Sequence, residues 1–156
     1  MRTGFFRRHH GQSMIEFALL APIFFLLLFG TIDLGRGIYI YNSISDAARE
    51  GTRAAVPFDS PLPTSATALA AVQSKLGGAI ALSVDPCIAN SSSPCPSTPT
   101  VPNTGTIWYS SGIGTPGRQP VTVKISYLFQ PWVPIVREAS GNGVVISAQS
   151  TMVTEY

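Results

Sequence analysis

Apolar positions along this 156-residue chain are spaced in three different ways. From Ser13 to Leu34 they are nearly continuous, and the only ionisable groups are Glu16 and Asp33, one near each end. The uncharged run between them, Phe17 to Ile32, includes Phe24, Phe25, Leu26, Leu27, Leu28 and Phe29. About 20 residues at 1.5 Å each cross a hydrocarbon layer of about 30 Å, so the pattern predicts one transmembrane helix. Beyond it, Leu34, Ile38, Tyr41, Ile44, Ala48, Gly51 and Ala55 recur at steps of three and four. Ser43, Asp46, Glu50 and Arg53 fall on another side, with Asn42 and Arg49 beside them. That is an amphipathic continuation of the same helix, which Pro57 should stop. From Ser13 to Val56 it would run about 66 Å. Pro22 lacks the amide that would bond the Ala18 carbonyl, so a hinge there and simple tolerance in a membrane helix are both open. Gly35 and Gly37 are further soft points.

The third spacing is a period of two. Val121, Val123, Ile125, Tyr127 and Phe129 alternate with Thr122, Lys124, Ser126 and Leu128, which predicts a strand with one buried face. Gly141-Asn142-Gly143 turns the chain into a last strand over 144–155, with Val144, Ile146, Ala148 and Met152 on one side. Short strands are expected within 79–85 and 106–109. A second, alanine-rich helix should start at Thr64 or Ser65, present Leu69, Val72 and Leu76 on one side, and end at Gly77-Gly78. The apolar stretch Pro131-Trp132-Val133-Pro134-Ile135-Val136 either touches a neighbour or the membrane surface, or folds onto the sheet as a lid; the lid is the favoured reading.

Charge gives the helix a direction. Arg2, Arg7 and Arg8 precede the apolar run, so the positive-inside bias places the N-terminus in the cytoplasm and the residues after about 35 outside. A cleaved signal peptide fits less well. Its apolar core is usually about 7–15 residues and ends in a small-x-small site, whereas this run is longer and ends in Ile32-Asp33-Leu34. The Arg7-Arg8 pair is followed by His9-His10-Gly11 rather than by the hydrophobic residues of a twin-arginine signal. Outside the lipid, Cys87 and Cys95 bracket a loop of Pro, Ser and Asn, and a disulfide is their simplest state. It would close a short loop and stabilise the fold by about 2–3 kcal/mol. A two-cysteine metal site is the weaker alternative, since no histidine lies on that side.

Glu16 needs a reason. A carboxylate deep in a bilayer costs about 2.5–3.5 kcal/mol on insertion scales, and somewhat less near the interface. The residues around it carry a resemblance. Gly11-Gln12-Ser13-Met14-Ile15-Glu16-Phe17-Ala18, the following Leu-Leu-Ala-Pro-Ile, Asp33-Leu34-Gly35-Arg36 and Ala47-Ala48-Arg49-Glu50-Gly51-Thr52-Arg53-Ala54-Ala55 are similar to the TadE-like family. These are pilin-like proteins of the tight-adherence (Tad, type IVc) pilus machinery of bacteria. The resemblance covers residues 11 to about 56. It implies that a membrane prepilin peptidase cuts after Gly11, so that the mature chain begins at Gln12. It also implies a role for Glu16 and Phe17 in subunit register and assembly. The new amine of Gln12 is a cation four residues from Glu16, or from the Glu16 of a neighbour, and offsets much of the cost of burying that carboxylate. Gly11 leaves room for a protease at the backbone. The plain alternative for Glu16 is a side chain that snorkels to the headgroups. Arg49 and Arg53 are candidates for a helix face that binds an acidic partner, against a solvated face with pairs such as Glu50 to Arg53.

The expected fold class is therefore α+β: a long N-terminal helix packed on a small antiparallel sheet, pilin-like. Residues 1–11 would be a basic cytoplasmic leader, 12–34 the transmembrane helix, 35–56 its extracytoplasmic continuation and 57–156 a small domain. About 120 residues outside the membrane suffice for one core. Formal charge is +2, and loss of Arg2, Arg7 and Arg8 leaves seven basic against eight acidic groups, a net −1. No basic patch with interleaved aromatics speaks for nucleic acid. Without His9 and His10 the chain has no histidine, and its carboxylates beyond the helix (Asp59, Asp85, Glu138 and Glu155) are dispersed, so catalysis, cofactor and metal are not expected. The reading is a structural pseudopilin of the inner membrane. Its partners would be the membrane, the peptidase and other Tad pseudopilins or the major pilin. The competing reading is a lone anchored extracytoplasmic binding domain that does not polymerise.

Overall fold

The computed structural model describes residues 10–57, 61–85, 97–110, 112–141 and 143–155. Cys87, Cys95, Asn142 and the basic leader residues Arg2, Arg7 and Arg8 lie outside the described residues. One continuous helix, α1 (His10–Ala54), comes first and carries Pro22 inside it. At 45 residues it is about 67 Å long. Helix α2 (Ser65–Leu76) follows, then β1 (Leu82–Val84), β2 (Gly105–Tyr109), β3 (Pro120–Phe129), the short α3 (Pro134–Ala139) and β4 (Val144–Val153). The long helix on a small sheet is the α+β arrangement expected from the spacing.

Local signals set the ends of α2. The Thr64 hydroxyl accepts from the Thr67 amide while the Thr67 hydroxyl accepts from that of Thr64, a reciprocal cap. At the other end Gly77 takes a left-handed φ of 56°, which a side chain would oppose, and its amide bonds the Gln73 carbonyl. The four strands lie in the order β1-β2-β3-β4. β3 pairs antiparallel with β2 (Ile107 opposite Ile125) and with β4 (Ile125 opposite Ala148). β1 runs parallel to β2, so the sheet is mixed rather than wholly antiparallel. A parallel neighbour needs a long return connection, and the stretch between Val84 and Gly105 supplies it. Buried Asp85 fastens that return, accepting from the Ser97 amide at 2.8 Å and its hydroxyl at 2.6 Å.

The core forms where the upper half of α1 meets α2 and the sheet. Ile40, Ile44, Ala47 and Ala48 of α1 pack with Val72 and Leu76 of α2 and with Ile107, Val123, Ile125, Tyr127 and Phe129 of the sheet. The alternation of β3 buries the face expected for it. The helical stripe of α1 is only partly enclosed. Ile44, Ala48, Gly51 and Ala55 are buried, but Leu34, Ile38 and Tyr41 are each more than half exposed. Buried Ile40 and Asp33 take their place against the domain. β4 is also more open than its pattern suggests, since Val144 and Met152 are exposed and Ala148 alone of that row is buried.

β4 lies along α1 in the same sense. At the top, the Glu155 amide bonds the Val56 carbonyl at 3.2 Å. At the bottom, Val144 and Ile146 share a groove with Leu34, Ile38 and Tyr41. Ten strand residues reach about 34 Å, and α1 from Asp33 to Ala54 covers about 33 Å. The sheet therefore ends at the level of Asp33, and Met14 to Ile32 project below it as bare helix.

Gly51 sets how closely α2 approaches α1. A Cβ built there would lie 2.5 Å from the Val72 Cγ2, whereas one at Gly35 or Gly37 meets nothing within 4 Å. Gly51→Ala should therefore destabilise the outer domain by about 1–3 kcal/mol through overpacking. Gly35→Ala should be neutral or slightly stabilising, because alanine narrows the conformational freedom of the unfolded chain. Thermal unfolding of the detergent-solubilised variants separates the two.

The Tyr109 hydroxyl is buried with no hydrogen-bond partner among the described residues, and burial raises its pKa far above the usual phenol value. Burial also raises Tyr127, against a smaller lowering pull from Arg36. The folded state keeps these protons where the unfolded chain releases them. Stability is thus full below about pH 10 and falls as pH rises beyond it. Tyr109→Phe should shrink that alkaline loss and leave neutral-pH stability unchanged or up by about 1 kcal/mol, as read from thermal midpoints across pH 7–11.

Candidate functional site

Two acids bound the uncharged stretch of α1, and they sit in opposite surroundings. Glu16 lies on the bare lower helix, one turn above Gln12, whose amide Nε2 donates to its Oε1 at 3.2 Å. The two residues share a face, as their spacing requires. Phe17 beside it is 70% exposed, and its ring, with those of Phe24 and Phe25, lines a shallow apolar hollow. Gly11 is exposed and a Cβ there would meet nothing within 4 Å. Among the described residues no contact explains a glycine that costs helix stability.

Asp33 is buried, 5% exposed, at the level where the sheet ends along α1. Its Oδ2 accepts from the backbone amides of Trp132 at 2.8 Å and Val133 at 3.0 Å. Its Oδ1 accepts from Arg36 Nη1 at 3.0 Å, three residues along the same helix. The Arg36 guanidinium in turn lies 3.9 Å from the Trp132 ring centroid and 5.2 Å from that of Phe129. A carboxylate can be buried when it is both paired and hydrogen-bonded, and Asp33 is both. Its two amide partners sit where the chain leaves β3 and enters α3, so they would otherwise lack acceptors.

The clamp decides the fate of the apolar stretch 131–136. The favoured lid reading requires it to lie on the sheet. The chain instead docks on α1 through Asp33, burying Pro131 and Val133 while Trp132 and Ile135 are each 65% exposed. Pro134 prevents a further strand and starts α3, whose six residues bury none of their side chains. Asp33 carries the most tertiary polar contacts of α1, and reading the sequence assigned it no role. Its signal was available: an acid three residues before an arginine at the end of an apolar run is well placed for a satisfied, partly buried pair.

Arg49 and Arg53 are both exposed on the upper helix. Arg49 reaches Asp46 at 3.9 Å, with both side chains largely in solvent. This is a different pair from the expected Glu50 to Arg53, and at that exposure it adds little stability. Arg53 lies in the last turn of α1, where a cation complements the helix dipole. The sites at residues 11–17, 33–36 and 49–53 are separate stations on one helix, not one cluster.

Replacing Asp33 tests the clamp. Asp33→Ala leaves two amides and a guanidinium unsatisfied and should cost about 2–3 kcal/mol. Asp33→Asn keeps one acceptor oxygen and should cost less. Hydrogen exchange at the Trp132 and Val133 amides should speed up strongly in the alanine variant and weakly in the asparagine one.

Below Asp33, α1 is long and apolar enough to cross a membrane, and no part of that apolar window is buried in the protein. It fits a single-pass anchor. Comparison with curated proteins and with solved structures gave no significant match. Residues 11–53 match the model of a family described as TadE-like protein, so this stretch of the chain is similar to that family.

Proposed function

We propose that this chain is a structural pseudopilin of a bacterial Tad pilus, held in the inner membrane by α1 and assembled through it. The observation that carries the reading is where the family likeness falls. The matched segment 11–53 is α1 almost end to end. From Met14 to Ile32 that helix buries no residue against the described part of its own chain. The upper half has a partner in the outer domain; the lower half must find one in lipid or in another helix. A chain selected for a binding domain alone would need only an apolar anchor. It would not need Gly11, Gln12 and Glu16 at their present spacing.

The finer assignment follows from chemistry. A prepilin peptidase acting on the cytoplasmic side would cut after Gly11 and release the basic leader. The amine left on Gln12 would lie one turn from Glu16, on the face where Gln12 already reaches the carboxylate. In a filament or priming complex, the amine of one subunit and the Glu16 of the next would fix register along the helices, because a charge left unpaired in lipid is costly. Phe17 would pack beside that pair. Arg49 and Arg53, exposed above the membrane, would face other minor subunits or the major pilin. Cys87 and Cys95 would form a disulfide in the oxidising extracytoplasmic space. The work proposed is association, with no chemical step.

Mass spectrometry of protein extracted from native membranes should find an N-terminus at Gln12. An intact residue 1–11 segment would instead support the lone anchored domain. Glu16→Ala should insert normally, yet reduce piliation or capture of partner subunits at least tenfold. Unchanged piliation would remove Glu16 from the assembly role.

A further inference from the structure

The outer domain leaves its lower end uncovered. Trp132 and Ile135 are each 65% exposed, and Val136, Val144 and Val145 are exposed beside them. Between this end and α1 runs a groove of about 580 Å³, bounded by Gly30, Leu34, Ile38, Val136, Val144 and Ile146 among others. It starts inside the uncharged run and ends near Tyr41, about 16 Å along the helix. Exposed apolar surface of this extent marks a contact.

We propose that residues 131–139, with this groove, form an interfacial foot that seats the outer domain in the headgroup–acyl boundary of the membrane leaflet from which α1 emerges, with phospholipid filling the groove. The inference rests on the membrane-spanning reading of α1 and goes beyond it, since a single span requires no second lipid contact. Depth carries it. The uncharged run ends at Ile32, and Asp33 holds the Trp132 and Val133 amides at 2.8 and 3.0 Å. The foot is therefore fastened at the level where α1 leaves the hydrocarbon. Nine residues of sequence far from α1 are brought to the one height where their composition suits the solvent. Tryptophan favours the headgroup region, where its ring is apolar and its N–H stays wet. α3 is six residues long and buries none of its side chains in the protein, so Ile135 and Val136 are free to enter the acyl boundary. Arg36, stacked on Trp132, stays on the aqueous side of the ring.

A neighbouring helix is the other occupant such a groove suggests. The exposed surface is broader than a helix-wide cleft, since Trp132 and Ile135 lie outside the groove lining of Val136, Val144 and Ile146 yet remain uncovered. A planar boundary covers all of them at once. The consequence is mechanical. One span leaves an outer domain free to rotate about its axis, whereas a span plus a foot fixes the face that Arg49 and Arg53 present.

The test uses the full chain in phosphatidylcholine vesicles whose acyl chains are brominated at carbons 6 and 7 or at carbons 11 and 12. The difference in emission between the native chain and Trp132→Phe isolates Trp132 and leaves Trp108 untouched. At high lipid-to-protein ratio, the shallow bromines should quench that emission by at least half, and the deep ones less. Asp33→Ala should lower the quenching severalfold while the protein still resists extraction by alkaline carbonate. Unquenched Trp132 emission from carbonate-resistant protein would overturn the foot and leave the span standing. Release by carbonate would overturn the span, and the foot with it. Quenching or burial that appears only as protein density rises would assign the face to a second copy and overturn the lipid proposal.

Discussion

A single carboxylate joins the two halves of this molecule. Asp33 accepts two backbone amides from a segment a hundred residues away in sequence, and a guanidinium from its own helix. Without it the sheet would still pack on Ile40, Ile44 and Ala48, but its lower end would have no fixed height on α1. Burying an acid is unfavourable unless its acceptors are used, and here the two amides need an acceptor as much as the acid needs donors. The clamp is therefore specific to one register of helix against strand. Sliding the sheet by one helical turn, about 5.4 Å, would leave both amides without their acceptor, while Arg36 moves with its own helix and keeps Asp33.

That register places the change of solvent and the change of packing at the same residue. Between Phe17 and Ile32 the helix is uncharged on every side, and none of its residues is buried among the described residues; above Asp33 the apolar positions narrow to a stripe and meet the sheet. β4 and the upper helix have closely matched lengths, about 34 and 33 Å, so the sheet ends near the clamp, and the groove beside it reaches down to Gly30. A longer strand would bring polar backbone into lipid, where an unpaired amide costs several kcal/mol. A shorter one would expose Ile40 and Ile44.

Much of this was legible from spacing. Period-three-and-four and period-two patterns located α1, α2 and β3, because each buries one face and pattern records burial. The ends of α2 were legible in Thr64 and Gly77, whose conformational preferences are local. Three features were not. Leu34, Ile38 and Tyr41 have helical spacing but no cover, since a pattern says that a face is apolar and not what it meets. The parallel pairing of β1 depends on the path of a long connection, which leaves no periodic trace. The docking of 131–136 on α1 is governed by backbone amides, and those carry no sequence identity at all. Of the proposed sites, the Gln12 and Glu16 pair was legible because four residues make one turn; Asp33 was passed over because its partners are a hundred residues away.

The two acids of α1 illustrate how position decides the meaning of a charge. Asp33 is satisfied within the chain, so its role is complete once the domain folds. Glu16 has only Gln12, a neutral donor on an exposed turn, as its described partner. A neutral amide offsets less of a carboxylate's desolvation than a cation does. Among the described residues the upper acid is thus satisfied, and the lower one meets only a neutral donor. An amine at Gln12, which the proposed processing would create, would meet that acid's demand for a positive group at the lower edge of the lipid, from the chain itself or from its neighbour. A pairing within one subunit holds that subunit at its depth in the bilayer. A pairing between subunits converts the same electrostatic demand into an axial offset, and only the bare helix below Asp33 is free to adopt it.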